Sequence, residues 1–110
     1  MASISTKLAQ IVAIARLGSI SKAAEELHLS QPALSRSIAA LERNYGVKIF
    51  DRSRRGVIPT ASGRQIVADA EALLRRIRTF EHNSRMHGRG ETGRLAIGFG
   101  PLAAAILMPG

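Results

Sequence analysis

The sequence predicts a mainly α fold: a winged helix-turn-helix of three helices plus a small β-hairpin wing, followed by a long helix of linker or dimerisation type. Three observations carry this. Apolar residues recur at helical spacing in three segments before Gly46, the second and third joined by a tight turn. Two short apolar runs then flank a basic turn. Beyond Thr60, one helical pattern continues without a proline to about Met86, roughly 39 Å at 1.5 Å per residue.

Each element has its own signals. Leu8, Ile11, Val12 and Ala15 define the first helix, which Gly18 closes. The second starts behind Ser21, whose hydroxyl is suited to cap it, and buries Ala23, Ala24 and Leu27. His28-Leu29 breaks the pattern. Ser30 caps the third helix, which carries Gln31 and Pro32 in its first turn, an inward stripe of Leu34, Ile38, Leu41 and Tyr45, and Gly46 at its end. Val47-Lys48-Ile49-Phe50 reads as the entry strand of the wing, residues 51–56 as its basic turn and Val57-Ile58-Pro59 as the return strand. Thr60 caps the long helix. Along that helix Ile66, Ala70, Leu73, Ile77 and Phe80 step by 4, 3, 4 and 3, a heptad seam suited to pairing with a second copy. The alternative is that one flank of this seam packs on the first helix.

After Met86 the composition changes. Residues 87–92 read as a linker, and Arg94 to Phe99 resembles a buried strand leading into a helix from Pro101. The division expected is therefore 1–60 for the winged domain, 61–86 for the long helix, 87–92 for the linker and 93–110 for the front edge of a further α/β domain. Gly88, Gly90 and Gly93 spell G-x-G-x-x-G, but the motif follows a helix and precedes a strand, the reverse of a dinucleotide-binding turn. It reads as linker.

Charge narrows the function. Of 110 residues, 16 are Lys or Arg against 8 Asp or Glu, a net +8. Arginine dominates, and its planar fork suits phosphates and guanine edges. No cysteine is present, which excludes disulfides and thiolate metal sites, and His28, His82 and His87 are scattered. With aromatics at 4%, a base-stacking single-strand binder is disfavoured. No catalytic constellation appears, so an enzyme, a cofactor and a metal are not expected. Neither a targeting segment nor a membrane span is legible, and a cytoplasmic chain is expected.

The excess of charge is concentrated in residues 30–64. There Arg36, Arg43, Lys48, Arg52, Arg54, Arg55 and Arg64 stand against Glu42 and Asp51. Off the apolar stripe, the third helix presents Gln31, Pro32, Ser35, Arg36 and Ala39, a slim polar face of the kind a DNA major groove admits. Gln31 suits adenine, Arg36 guanine and Pro32 a thymine methyl. Ser21, Ser30 and Thr60, at helix N-termini, suit phosphates, as do Arg52, Arg54 and Arg55 on the hairpin.

The run from Gly18 to Ile38, together with Leu41-Glu42, Gly46-Val47, Ile49-Phe50-Asp51-Arg52 and Pro59-Thr60-Ala61-Ser62-Gly63, closely resembles the LysR-type transcriptional regulators. The resemblance runs from about Leu8 to Met86 and extends to Gly93–Phe99, which looks like the first strand of the family's effector-binding domain. It implies a sequence-specific DNA-binding regulator whose long helix pairs two subunits on an imperfectly palindromic promoter site. By position, Gln31, Pro32, Ser35 and Arg36 match the family's base-reading residues. Ser21, Lys22, Ser30, Arg52 and Thr60 match its backbone contacts. Double-stranded DNA and a homodimer are the implied partners, with a tetramer and a small-molecule effector implied only where the C-terminal domain is present. Arg43-Asn44-Tyr45 departs from the acidic stretch usual before the glycine, and Ile20 stands where an aromatic is common. Two other readings compete: a DNA-coating protein of little sequence preference, and a protein-interaction module using the seam.

Overall fold

A computed structural model describes residues 3–88. Three helices lead: α1 (Ile4–Leu17), α2 (Ile20–Glu26) and α3 (Gln31–Tyr45). An antiparallel hairpin, β1 (Phe50–Ser53) and β2 (Gly56–Pro59), follows, and then α4 (Ala61–Gly88). The chain divides into two units, residues 1–75 and 76–110. The described part of the second unit is the C-terminal portion of α4. Residues 93–110, read as the edge of a further domain, lie outside the described residues, as does most of the 87–92 linker; His87 and Gly88 still belong to α4.

Local chemistry fixes the helix ends. Ser3 caps α1, accepting a hydrogen bond from Thr6 N, and Gly18 closes the helix in the left-handed region. The cap of α2 is Ser19, not Ser21. The Ser19 Oγ accepts from Lys22 N at 3.1 Å, and the helix begins at Ile20, which is buried. An apolar side chain at the first helical position belongs in the core, and this moves the helix start two residues earlier. The turn into α3 is a Schellman closure: Leu29 N donates to Ala24 O and His28 N to Glu25 O. His28 supplies the left-handed residue, at φ 58°, that glycine ordinarily provides. Ser30 then caps α3 through Ala33 N, with proline in its first turn.

The core of the first unit is aliphatic apart from Phe50. Ile14, Leu34 and Ile49 are its largest fully buried side chains, joined by Leu8, Ile11, Ile20, Ile38, Leu41 and Phe50. Each such burial contributes about 1.5–3 kcal/mol before chain entropy is counted. Buried Gln10 does not break the pattern, because its Oε1 accepts from Ser37 Oγ and ties α1 to α3. Tyr45, expected in the α3 stripe, is 62% exposed. It lies in the terminal turn, where Glu42 rather than Tyr45 engages the returning chain.

That engagement also corrects the wing. Val47, Lys48 and Ile49 are not strand residues, because their backbone groups bond elsewhere than to β2. The Glu42 carboxylate accepts from Ile49 N at 2.8 Å and Phe50 N at 3.2 Å. Thr60 donates its hydroxyl to Lys48 O and its N–H to Ile49 O. Pairing starts at Phe50↔Pro59 and ends at Ser53↔Gly56, so Asp51, Arg52 and Ser53 are strand residues and the turn is Arg54-Arg55 alone. Gly56 closes the turn at φ 122°, where a Cβ would sit 2.5 Å from Gly18 O. The same carbonyl accepts from Val57 N, docking the wing on the end of α1.

Glu42→Ala should therefore lower stability by about 2 kcal/mol, because it leaves two part-buried amides without their charged acceptor. Glu42→Gln, which keeps an acceptor oxygen, should cost less. Urea melts measure both, and an alanine variant as stable as the parent would remove Glu42 from this role.

Within the first unit, α4 turns Gly63, Ala70 and Leu74 inward, with Ile66 and Val67 half-buried. Ala70 is 1% exposed and is thus already covered within its own chain. A pairing role for it, as read from the sequence, is corrected: the heptad row and the inward row of the helix share this position, and the core takes it. Among the described residues no helix is long and apolar enough to cross a membrane.

Candidate nucleic-acid interface

Gln31 and Pro32 occupy the first turn of α3 and are exposed, Ser35 lies one turn on and is half-buried, and Arg36 is exposed. Successive turns of one short helix bring these four base-reading candidates together. Their bulk is small, as groove entry requires. Two neighbouring elements reach them. The Ser21 Oγ of α2 donates to Gln31 Oε1 at 3.3 Å, and Arg52 Nη2 of β1 donates to Ser35 Oγ at 3.2 Å.

The candidate backbone contacts divide. Ser21, Lys22 and Ser30 are exposed around the α2–α3 turn. Ser30 Oγ accepts from Ala33 N, which leaves its proton to donate. Arg54 and Arg55 form the hairpin tip and are exposed, and Arg55 N is held by Ser53 Oγ. Thr60 does not fit the expectation. Its hydroxyl proton goes to Lys48 O and its N–H to Ile49 O, while its Oγ1 accepts from Gly63 N. With both donors committed inside the protein, it has none for a phosphate.

Electrostatically the surface is unbalanced. Arg36, Arg43, Lys48, Arg52, Arg54, Arg55 and Arg64 are all exposed, and none of these seven pairs with a carboxylate among the described residues. An ion pair of Arg16 with Glu26 joins α1 to α2. Of the two acids within this stretch, Glu42 is turned to backbone amides, and Asp51 is exposed without an ion pair among the described residues. Cations crowded without counter-charges repel one another until an anion approaches. Among the described residues, no cluster of His, Cys, Asp and Glu has the make-up of a metal site.

The seam candidates on α4 differ in exposure. Ile66 and Ile77 are half-buried, Ala70 is buried, Leu73 is 49% exposed and Phe80 is 70% exposed. Sequence reasoning missed Ser19, Glu42 and Gly63. For Ser19 the signal was present, since Ser19-Ile20-Ser21 offers two caps and only the first leaves Ile20 in the helix. For Glu42 and Gly63 no local signal exists, because their partners lie 7 and 14 residues away in Ile49.

Comparison with known proteins gives concordant results. The sequence profile of the bacterial regulatory helix-turn-helix proteins, lysR family, matches residues 6–64. The HTH-type transcriptional regulator TfdT of Cupriavidus pinatubonensis is 42% identical over 91 residues, which are 83% of this chain and 40% of the regulator. The nitrogen assimilation regulatory protein nac of Escherichia coli is 37% identical over 105 residues, 94% of this chain and 34% of that protein. The chain thus spans about a third to two fifths of the length of the curated relatives it matches. Among solved structures, the BenM_DBD/catB site 1 DNA complex superimposes with a TM-score of 0.74 at 30% identity, covering 76% of this chain and 94% of that one.

Proposed function

Because the chain belongs to the lysR family of bacterial regulatory helix-turn-helix proteins, we propose that it is a sequence-specific, DNA-binding transcription regulator that inserts α3 into the major groove. The observation that carries this reading is the slim face of Gln31, Pro32, Ser35 and Arg36, flanked by six further exposed cations that have no acidic partner among the described residues. In this reading Arg36 reads a base edge, while Arg54 and Arg55 hold the sugar-phosphate backbone with Ser21, Lys22 and Ser30. Neither a catalytic step nor a cofactor or metal enters it.

The unit of binding is a homodimer on an imperfect palindrome, paired through the exposed members of the α4 seam. Two recognition helices then lie about one DNA turn apart, in successive major grooves. In a longer protein with an effector domain, tetramers and a small-molecule effector follow by family likeness. The site of action is the cytoplasm, on the nucleoid.

Selection from random duplexes tests this. Two inverted half-sites at fixed spacing are the expected result. Recovery of random sequence would favour a DNA-coating protein, and absence of binding would favour an interaction module. Arg36→Ala should cost about 1–3 kcal/mol and relax choice at one position per half-site. Arg54→Gln should weaken all duplexes alike and lower the salt slope by about one. Identical behaviour of the two variants would refute the division into base readers and phosphate holders.

A further inference from the structure

We propose that Arg52 is a positioning residue for base recognition: its hydrogen bond to Ser35 presents the Ser35 hydroxyl to the groove as a donor, so that Ser35 selects an acceptor on a base edge. This rests on the reading that α3 enters the major groove, and it separates Arg52 from the two arginines at the hairpin tip.

The hairpin register makes the separation. Side chains two apart on a strand share a face, and directly opposed residues of an antiparallel pair share it too. Arg52 therefore lies on the face of Phe50, Val57 and Pro59, since it pairs with Val57 and Phe50 pairs with Pro59. Phe50 is 4% exposed and Val57 9%, so this face is turned to the protein body. Ile58, on the other face, is 54% exposed. Arg52 thus leaves β1 on the body side, and its guanidinium reaches α3, with Nη2 3.2 Å from Ser35 Oγ. Ser35, Ala39, Lys48 and Arg52 line one cleft between α3 and the wing.

The direction of this bond is fixed by chemistry alone. A guanidinium has donors and no acceptor, so the serine oxygen must accept. The single hydroxyl proton of Ser35 then remains to be given. In the major groove the proton's takers are purine N7, guanine O6 and thymine O4, whereas adenine N6 and cytosine N4 are donors and have only the one oxygen lone pair that Arg52 leaves open. Without Arg52 the hydroxyl rotates freely and accepts or donates alike, and its discrimination falls. Arg54 and Arg55 have no such link to α3, which leaves them to the backbone.

The test is a random-duplex selection on the 110-residue chain, run in parallel for the parent, Ser35→Ala, Arg52→Met, the double variant and Arg54→Met. Methionine keeps the apolar stem of Arg52 and removes its donors. The expected result is that Ser35→Ala and Arg52→Met flatten the same base-pair position, each by about fivefold, the scale of one ordinary hydrogen bond. The double variant should be no flatter there, and Arg54→Met should leave every position as in the parent. Arg52→Met with the parent's base preferences, or flattening at a position different from that of Ser35→Ala, overturns the proposal. A parent that enriches no sequence overturns the groove-reading function itself, an outcome visible without any variant. Thermal melts check folding, and Arg52→Gln replaces the methionine variant if that one does not fold.

Discussion

Gly63→Ala is expected to lose about 3–5 kcal/mol of stability, a large share of the roughly 5–15 kcal/mol that holds a domain folded. A single methyl group does this because of where it would stand. A Cβ on Gly63 would lie 1.9 Å from Ile49 O and 2.8 Å from Ile49 C, inside the van der Waals envelope of both. Neither side of the contact is free to yield. The Ile49 carbonyl accepts from Thr60 N at 2.9 Å, its own N–H is held by Glu42, and its side chain is fully buried. On the helix side, Gly63 N is the donor that Thr60 Oγ1 accepts at 2.9 Å. Relief requires α4 to back away from the core, which uncovers Ala70 and Leu74. In an exposed helix the same change would stabilise, since alanine is the better helix former; here the sign is reversed by packing. Urea denaturation decides it. A variant whose urea midpoint matches the parent's would show that the Ile49 segment yields and that this junction does not exclude a methyl group.

Under the proposed pairing through α4, Phe80→Asp should give a monomer and weaken the hold on a two-half-site duplex by about 100-fold or more, while leaving affinity for a single half-site nearly unchanged. Effective concentration sets the size: once one half-site is occupied, a paired subunit binds the second as an intramolecular event, which raises the apparent affinity by a factor of about 10²–10⁴. Phe80 is 70% exposed and Leu73 49%, apolar surface that solvent disfavours and that a second α4 would cover. An aspartate in that seam must desolvate its charge opposite an identical charge. Sedimentation equilibrium reads the oligomeric state, and titration of one- and two-site duplexes reads the coupling. Retained dimerisation with retained two-site affinity would move the pairing surface elsewhere.

Sequence periodicity gave the order of elements, the inward residues Leu34, Ile38 and Leu41, the closures at Gly18 and Gly46, and the grouping of Gln31, Pro32, Ser35 and Arg36, because each is a property of spacing within one helix or of one turn. Local composition likewise made the hairpin tip basic. What failed locally failed for an identifiable reason. Ser21 and Ser19 are equally good caps in isolation, and only burial of Ile20 chooses between them. Val47 to Ile49 have strand-like side chains, but their backbone partners are Glu42 and Thr60, which the strand pattern does not contain.

The site shows the same limit. The amino-acid sequence by itself determined which side chains share the outward face of α3 and how much charge surrounds them, since a helix of 3.6 residues per turn fixes its faces without help. Only the tertiary structure decided that Arg52 turns to Ser35 while Arg54 does not, that Thr60 is used up within the protein, and that Ala70 belongs to the core. Those are relations between elements separated along the chain. Packing sets them, and residue spacing carries no record of it.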